Sequence, residues 1–151
     1  MCLILDINIL HKVYPNANED HAPISRALKD KKATMVYGGK LRREYLKANW
    51  FRKFLRRLDQ SGAAKIVPDQ EVDLRTQAIA SAGGYISNDP HILALAIVAN
   101  VRLVCTDDDD LAADFKNRRI IANPRGNVYR RRGHAHLIRR HCPDSRHSGG
   151  Y

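Results

Sequence analysis

Short apolar runs alternate with longer segments of helical periodicity along the chain. The runs predict buried strands at residues 2–5, 34–37, 64–67 and 101–105, with an edge strand at residues 120–122. The segments between them predict helices at residues 8–14, 22–31, 40–59, 71–82, 90–100, 111–116 and 134–140. Strands that alternate with helices are typical of a parallel sheet covered by helices on both faces. The pattern therefore predicts an α/β fold.

Acidic residues stand at the points where the predicted strands give way to helices. Asp6 ends the first strand, and four aspartates at residues 107–110 follow the strand at 101–105. Asp89 precedes an apolar helix, and Glu44 lies beside the apolar stripe of an otherwise basic helix. The carboxyl ends of parallel strands meet at one edge of a sheet, where α/β proteins place their binding sites. We therefore expect Asp6 and the aspartate run to lie at that edge.

Each acid also has a purely structural interpretation. Asp6 and Asp89 can each serve as the N-cap of the helix that follows. Glu44 can pair with a lysine one turn away on its own helix. The aspartates at residues 107–110 can form a solvated turn, but they repel one another, and a divalent cation relieves that repulsion more than a helix N-terminus does. The aspartate run is therefore the strongest signal of chemistry.

Basic residues outnumber acidic residues by 26 to 16, which gives a formal net charge of +10. Such a charge favours a polyanionic partner such as nucleic acid, and the alternative is a merely solvated basic surface. Residues 125–151 hold seven arginines and one acid. We therefore predict one domain at residues 1–123 and a basic C-terminal extension at residues 124–151, flexible towards residues 148–150.

The three cysteines, Cys2, Cys105 and Cys142, lie far apart and predict no disulfide framework. Free thiols fit the reducing cytosol. The apolar runs are too short for a signal peptide or a membrane span. We therefore expect a soluble cytoplasmic protein that does not engage a membrane.

Clustered carboxylates provide the oxygen ligands that a divalent cation prefers. When basic residues surround such a cluster, the bound cation can act on a phosphate backbone. The leading hypothesis is a metal-dependent nuclease, in which Asn8 and Thr106 are candidate polar contacts to the substrate. Basic residues expected to bind flanking phosphates are Arg42, Arg43, Lys47, Arg52, Arg130, Arg131 and Arg132. Two alternatives stay open: a non-catalytic RNA-binding module whose acids are structural, and a structure-specific DNA nuclease.

Four separated segments resemble the PIN domain family, whose largest branch comprises the VapC-like toxin ribonucleases. They are residues 4–10 with Asp6, the helix with Glu44, residues 88–96 with Asp89, and residues 103–110 with the aspartate run. The resemblance covers about residues 1–123. It implies a three-layer α/β/α sandwich with a central parallel sheet. It also implies a cluster of three or four acids that binds Mg²⁺ or Mn²⁺ and hydrolyses a phosphodiester bond in RNA.

By position, three of the family's acids correspond to Asp6, Glu44 and Asp89. The fourth commonly stands two residues after a threonine or serine, which selects Asp108 after Thr106. Two neighbouring aspartates compete with it as metal ligands, Asp107 and Asp110. The resemblance further implies RNA as the substrate, a toxin role with an antitoxin protein as partner, and a homodimer.

Overall fold

Five short parallel strands form the centre of the protein, and the computed structural model describes residues 2–143. The strands are β1 (Ile4–Leu5), β2 (Met35–Gly38), β3 (Ala64–Val67), β4 (Leu103–Cys105) and β5 (Asn127–Tyr129). β4 pairs with both β1 and β5, and β2 pairs with β3. A parallel bridge between Leu3 and Met35 joins the two sheets, so the strands follow the order β3, β2, β1, β4, β5. The predicted parallel sheet is confirmed.

Eight helices surround the strands in the part of the chain that the structure describes. They are α1 (Leu10–Val13), α2 (Ala22–Lys29), α3 (Gly39–Lys47), α4 (Asn49–Ser61), α5 (Asp69–Ala82), α6 (Pro90–Ala99), α7 (Asp109–Lys116) and α8 (Ala135–His141). Every residue of β1, β2 and β4 is buried. Successive side chains of a strand point to opposite faces, so this burial requires cover on both sides of the sheet. The predicted α/β/α sandwich is confirmed. None of the helices within residues 2–143 is long and apolar enough to cross a membrane.

The long basic helix predicted at residues 40–59 is wrong, because the chain breaks at Ala48 into α3 and α4. Ala48 adopts φ −90° and ψ 89°, outside the helical region, and it caps both helices. Tyr45 of α3 and Phe51 of α4 are fully buried, and their ring centroids lie 5.1 Å apart. Each of the two helices turns an apolar face to the core on its own side of the break.

The edge strand predicted at residues 120–122 is also wrong. The backbone N–H groups of Ile120 and Ile121 both donate to the carbonyl of Asn117, so they are used in a local turn. The edge position belongs to β5, whose three residues pair with β4. Gly126 just before β5 runs so close to α7 that a Cβ atom there would lie 2.2 Å from the Phe115 carbonyl oxygen. Only glycine fits this approach.

The first part of the predicted basic extension packs with the preceding chain. β5 adds a strand to the sheet, and α8 buries Leu137 and Ile138 against the core. Beyond α8, the thiol of Cys142 contacts the sulfur of Cys2 at the start of the chain and holds the pKa of Cys2 at about 6, well below its ordinary value. The flexible end predicted at residues 148–150 lies outside the described residues.

Candidate functional site

Asp6 lies at the carboxyl end of β1, where it is 2% exposed. Its backbone N–H donates to the carbonyl of Cys105 over 3.0 Å, which aligns the ends of β1 and β4. The hydroxyl of the fully buried Thr106 donates to Oδ2 of Asp6 over 2.7 Å. The two strand ends therefore meet as predicted, and Thr106 fixes the orientation of the carboxylate. This contact gives Thr106 an anchoring role within the protein.

Burial raises the pKa of the Asp6 carboxyl above its ordinary value, and the charges of Asp89 and Glu44 raise it further. The Thr106 hydroxyl and the backbone N–H of Asn8 act in the opposite direction. A like charge raises the pKa of a carboxyl in this way when it lies nearby. Three of the four predicted acids therefore share one neighbourhood.

Asp89 occupies the N-cap position of α6, but its side chain accepts no capping hydrogen bond. The structural interpretation as a helix cap thus leaves the carboxylate unexplained. Burial raises the pKa of Asp89, and the charges of Asp108 and Glu44 add to the rise. His91 and Lys40 lower it. Asp89 is therefore the acid whose charge interacts with those of Asp6, Glu44 and Asp108.

Glu44 pairs with a histidine rather than with a lysine of its own helix. Nε2 of His91, which is 3% exposed, lies 2.9 Å from Oε1 of Glu44. The next residue, Tyr45, donates its hydroxyl to the carbonyl of Leu5 and so ties α3 to the end of β1. Sequence reasoning missed His91. The available signal was a single polar residue in the apolar first turn of α6, two positions after Asp89.

The four consecutive aspartates have different surroundings. Asp108 is half-buried, and its Oδ1 accepts from the backbone N–H groups of Asp110 and Leu111 over 2.9 and 3.2 Å, so it caps α7. Asp107 is exposed and pairs with Lys12. Asp110 is exposed in the first turn of α7. Because the charge of Asp108 is the one that acts on Asp89, the geometry favours Asp108 over its neighbours as the fourth acid.

Oxygen donors dominate this acid cluster, which we define as Asp6, Glu44, Asp89 and Asp108. Within residues 2–143, no group of three or more His, Cys, Asp or Glu side chains is drawn close enough together to hold a metal ion. The donor set nevertheless fits a hard divalent cation, because neighbouring carboxylates raise the pKa of Asp6 and of Asp89, and added positive charge relieves that repulsion. Mg²⁺ and Mn²⁺ suit such a site, since Mg²⁺ usually keeps several waters and needs few protein ligands.

Most of the predicted phosphate contacts already have partners inside the protein. The pairs are Arg42 with Asp69, Arg43 with Asp73, Arg130 with Asp109, and Arg132 with Glu19. Arg52 donates to the carboxamide of Asn49, while Lys47, Arg131 and the side chain of Asn8 are exposed. Partly exposed ion pairs contribute at most about 1 kcal/mol. A phosphate group can therefore compete for these cations.

Asp114 on α7 is a second residue that sequence reasoning missed. Its carboxylate is 2% exposed and accepts from the backbone N–H groups of Ile86, over 3.0 Å, and Ser87, over 2.8 Å. These two residues lie in the loop that leads to Asp89. The loop contains two glycines with positive φ and has no strand or helix of its own. Asp114 therefore holds the segment that positions Asp89.

The model of the PIN domain family matches residues 3–116 of the chain. The matched segment contains all four acids of the cluster, together with Thr106, His91 and Asp114. No curated protein and no solved structure matches the chain.

Proposed function

Because the chain belongs to the PIN domain family, we propose that it is a metal-dependent endoribonuclease that hydrolyses RNA phosphodiester bonds. PIN domains are generally nucleases and typically use divalent metal ions. The observation that carries the proposal is the repulsion that buried Asp6 experiences from the half-buried Asp89 and Glu44 at the edge of the sheet. A net charge of +10 around such a cluster supports a polyanionic substrate. The toxin role, the antitoxin partner, the homodimer and the cytoplasmic location stay predictions.

Each acid has a distinct part in the proposed reaction. Asp6, Asp89 and Asp108 would hold Mg²⁺ or Mn²⁺, which when bound lowers the pKa of a water and stabilises negative charge on phosphate oxygens. Thr106 keeps Oδ2 of Asp6 in a fixed direction. Glu44 is fixed by His91 and accepts a proton from the attacking water. The basic residues around the cluster bind the phosphates on either side of the cleaved bond.

Single-stranded RNA incubated with the purified protein and Mn²⁺ or Mg²⁺ is expected to be cleaved, and EDTA is expected to stop the cleavage. Asp89→Asn removes the negative charge that interacts with the other three acids of the cluster. Losing a residue that only supports a metal ligand typically costs 10- to 100-fold, so we expect a loss of at least about 100-fold here. Cleavage that survives EDTA, or that is equal in the wild type and Asp89→Asn, would contradict the proposal.

Two further measurements separate the rival functions. RNA and DNA of the same sequence are compared, and faster cleavage of structured DNA would identify a structure-specific DNA nuclease. RNA binding is measured with and without EDTA. Tight RNA binding that is equal with and without EDTA, together with no cleavage of any substrate, would identify a non-catalytic RNA-binding module.

Replacing His91 by leucine is expected to lower the cleavage rate by about 10- to 100-fold, because Glu44 loses the group that orients it. His91→Gln retains an N–H donor and should recover part of the rate. Rates at saturating RNA are compared for the two variants, with melting temperatures as the control for folding. Equal rates for leucine and glutamine variants of equal stability would show that the contact with Glu44 has no part in the reaction.

A further inference from the structure

A groove of about 680 Å³ runs between α2 and α8, outside the acid cluster. Its floor is apolar and includes Ala27 of α2, Ile138 of α8 and Cys142. Its walls carry four basic side chains and one acid: Arg26, Lys32, Arg132, Arg139 and Asp30. Of these residues only Arg132 is predicted from the sequence to bind phosphate, and no residue of the acid cluster lines the groove.

Three of the four cations are available to a ligand. Arg26, Lys32 and Arg139 are exposed and form no ion pair with any of residues 2–143. Arg132 already pairs with Glu19. Unpaired cations that face one another across a groove repel, and a polyanion relieves that repulsion. The charge of the walls thus selects a ligand with several negative groups.

One end of the groove lies beside the acid cluster. Arg130, two residues before Arg132, donates to the carbonyl of Asp107 over 2.8 Å and to the carboxylate of Asp109 over 2.7 Å. These residues flank Asp108 on both sides. The backbone N–H of Arg132 donates to Asp20, which lies just before α2, over 3.2 Å. The Arg132 end of the groove therefore lies two residues along the chain from Arg130, which holds the residues on either side of Asp108.

We propose that this groove binds single-stranded RNA that continues from the cleaved bond, with its phosphates on Arg26, Lys32 and Arg139 and its bases towards the apolar floor. The proposal rests on the proposed ribonuclease function. A basic groove that tracks the backbone is the usual form of sequence-independent single-strand binding, in which aromatic side chains commonly stack the bases. Here the aliphatic floor offers the bases apolar contact in place of aromatic stacking. The volume falls in the range of small-molecule pockets, roughly 300–1,000 Å³, so the groove admits a short stretch of single strand.

Charge reversal on adjacent residues tests the groove. Arg139→Glu and Arg26→Glu each change a wall of the groove. Arg140→Glu and Lys29→Glu are the matched controls, because these exposed residues stand on the same two helices and do not line the groove. Binding of a fluorescent single-stranded RNA is measured in EDTA over a range of salt concentrations, and the melting temperature of every variant is compared with that of the wild type.

The groove variants are expected to weaken RNA binding by about five- to tenfold and to lower the slope of log K against log salt by about 0.7 for each phosphate that the variant no longer neutralises. The controls should change binding by less than about twofold, since exposed charges away from the strand are screened by salt. Equal losses for Arg139→Glu and Arg140→Glu, an unchanged salt slope, or no binding of RNA by the wild type would overturn the proposal.

Failure of the groove and failure of the ribonuclease function give different results. If the wild type cleaves RNA with Mn²⁺, but Arg139→Glu and Arg140→Glu bind RNA equally well, the ribonuclease function stands and the groove is not the RNA-binding site. If Arg139→Glu weakens RNA binding and Arg140→Glu does not, but the wild type never cleaves RNA, the groove is an RNA-binding site and the ribonuclease function is wrong.

Discussion

Asp6→Asn is expected to abolish metal-dependent cleavage and, at the same time, to raise the stability of the protein. The carboxylate is buried at the edge of the sheet beside two other acids, and asparagine removes its charge while keeping an oxygen that accepts from Thr106. Loss of a charge at the centre of the proposed metal site should lower the cleavage rate by at least about 100-fold. The measurement that checks this is the rate of RNA cleavage in Mn²⁺ by the wild type and by Asp6→Asn.

The gain in stability follows from the raised pKa of Asp6. A carboxyl whose pKa is raised in the folded state contributes stability below its ordinary pKa, and this contribution is lost as the pH rises through the raised pKa. Asparagine avoids that loss, so in EDTA at neutral pH the variant should melt about 2–4 °C higher, which corresponds to roughly 1 kcal/mol for a protein of this length. The difference should vanish below the ordinary pKa of an aspartate.

Divalent cations should reverse the order of the two melting temperatures. A ligand that binds only the folded state stabilises it by RT ln(1 + [L]/Kd), about 2.7 kcal/mol at a hundredfold excess over Kd. Mn²⁺ is therefore expected to raise the melting temperature of the wild type and to leave that of Asp6→Asn nearly unchanged. Asp110→Asn is the control, because this exposed acid belongs to the same run of aspartates as Asp108 but lies outside the cluster. A lower melting temperature for Asp6→Asn in EDTA, or equal shifts with Mn²⁺, would contradict this account.

The main elements of the site could be predicted because they depend on local sequence. Asp6 ends a short apolar run, and Thr106 ends another, so each marks the carboxyl end of a buried strand. Parallel pairing then brings the two ends to one edge. The expectation needed only short apolar runs and the general geometry of parallel sheets.

The rest depends on contacts between distant residues and could not be predicted from local pattern. Residues 44–52 have the pattern of one helix, and nothing in that pattern marks the break at Ala48, across which Tyr45 packs against Phe51. β5 has three residues, too few for a periodic signal. His91 finds its partner 47 positions away in the sequence, and Asp114 finds Ile86 28 positions away. Such partners become visible only when the chain is folded.

Asp114→Ala is expected to have the largest effect on stability among the changes considered, because it removes a buried carboxylate that accepts from the backbone N–H groups of Ile86 and Ser87. Hydrogen bonds to charged groups contribute about 1.5–3 kcal/mol each, so the free energy of unfolding should fall by about 3–6 kcal/mol. This loss corresponds to roughly 6–24 °C in melting temperature. Cleavage should also fall by more than about tenfold, because the loop that carries Asp89 loses its anchor.

Hydrogen exchange distinguishes local loosening of the loop before Asp89 from a loss of stability of the whole fold. With Asp114→Ala, the amides of Ile86 and Ser87 should exchange much faster, whereas the amides of β4 should follow only the global loss of stability. Asp114→Asn keeps one accepting oxygen and should fall between the wild type and the alanine variant in both stability and cleavage rate. Asp109→Ala on the same helix is the matched control, since its exposed carboxylate pairs with Arg130 at the surface and should contribute at most about 1 kcal/mol. Unchanged exchange at Ile86 and Ser87 would show that α7 does not hold the loop, and the position of Asp89 would then require another explanation.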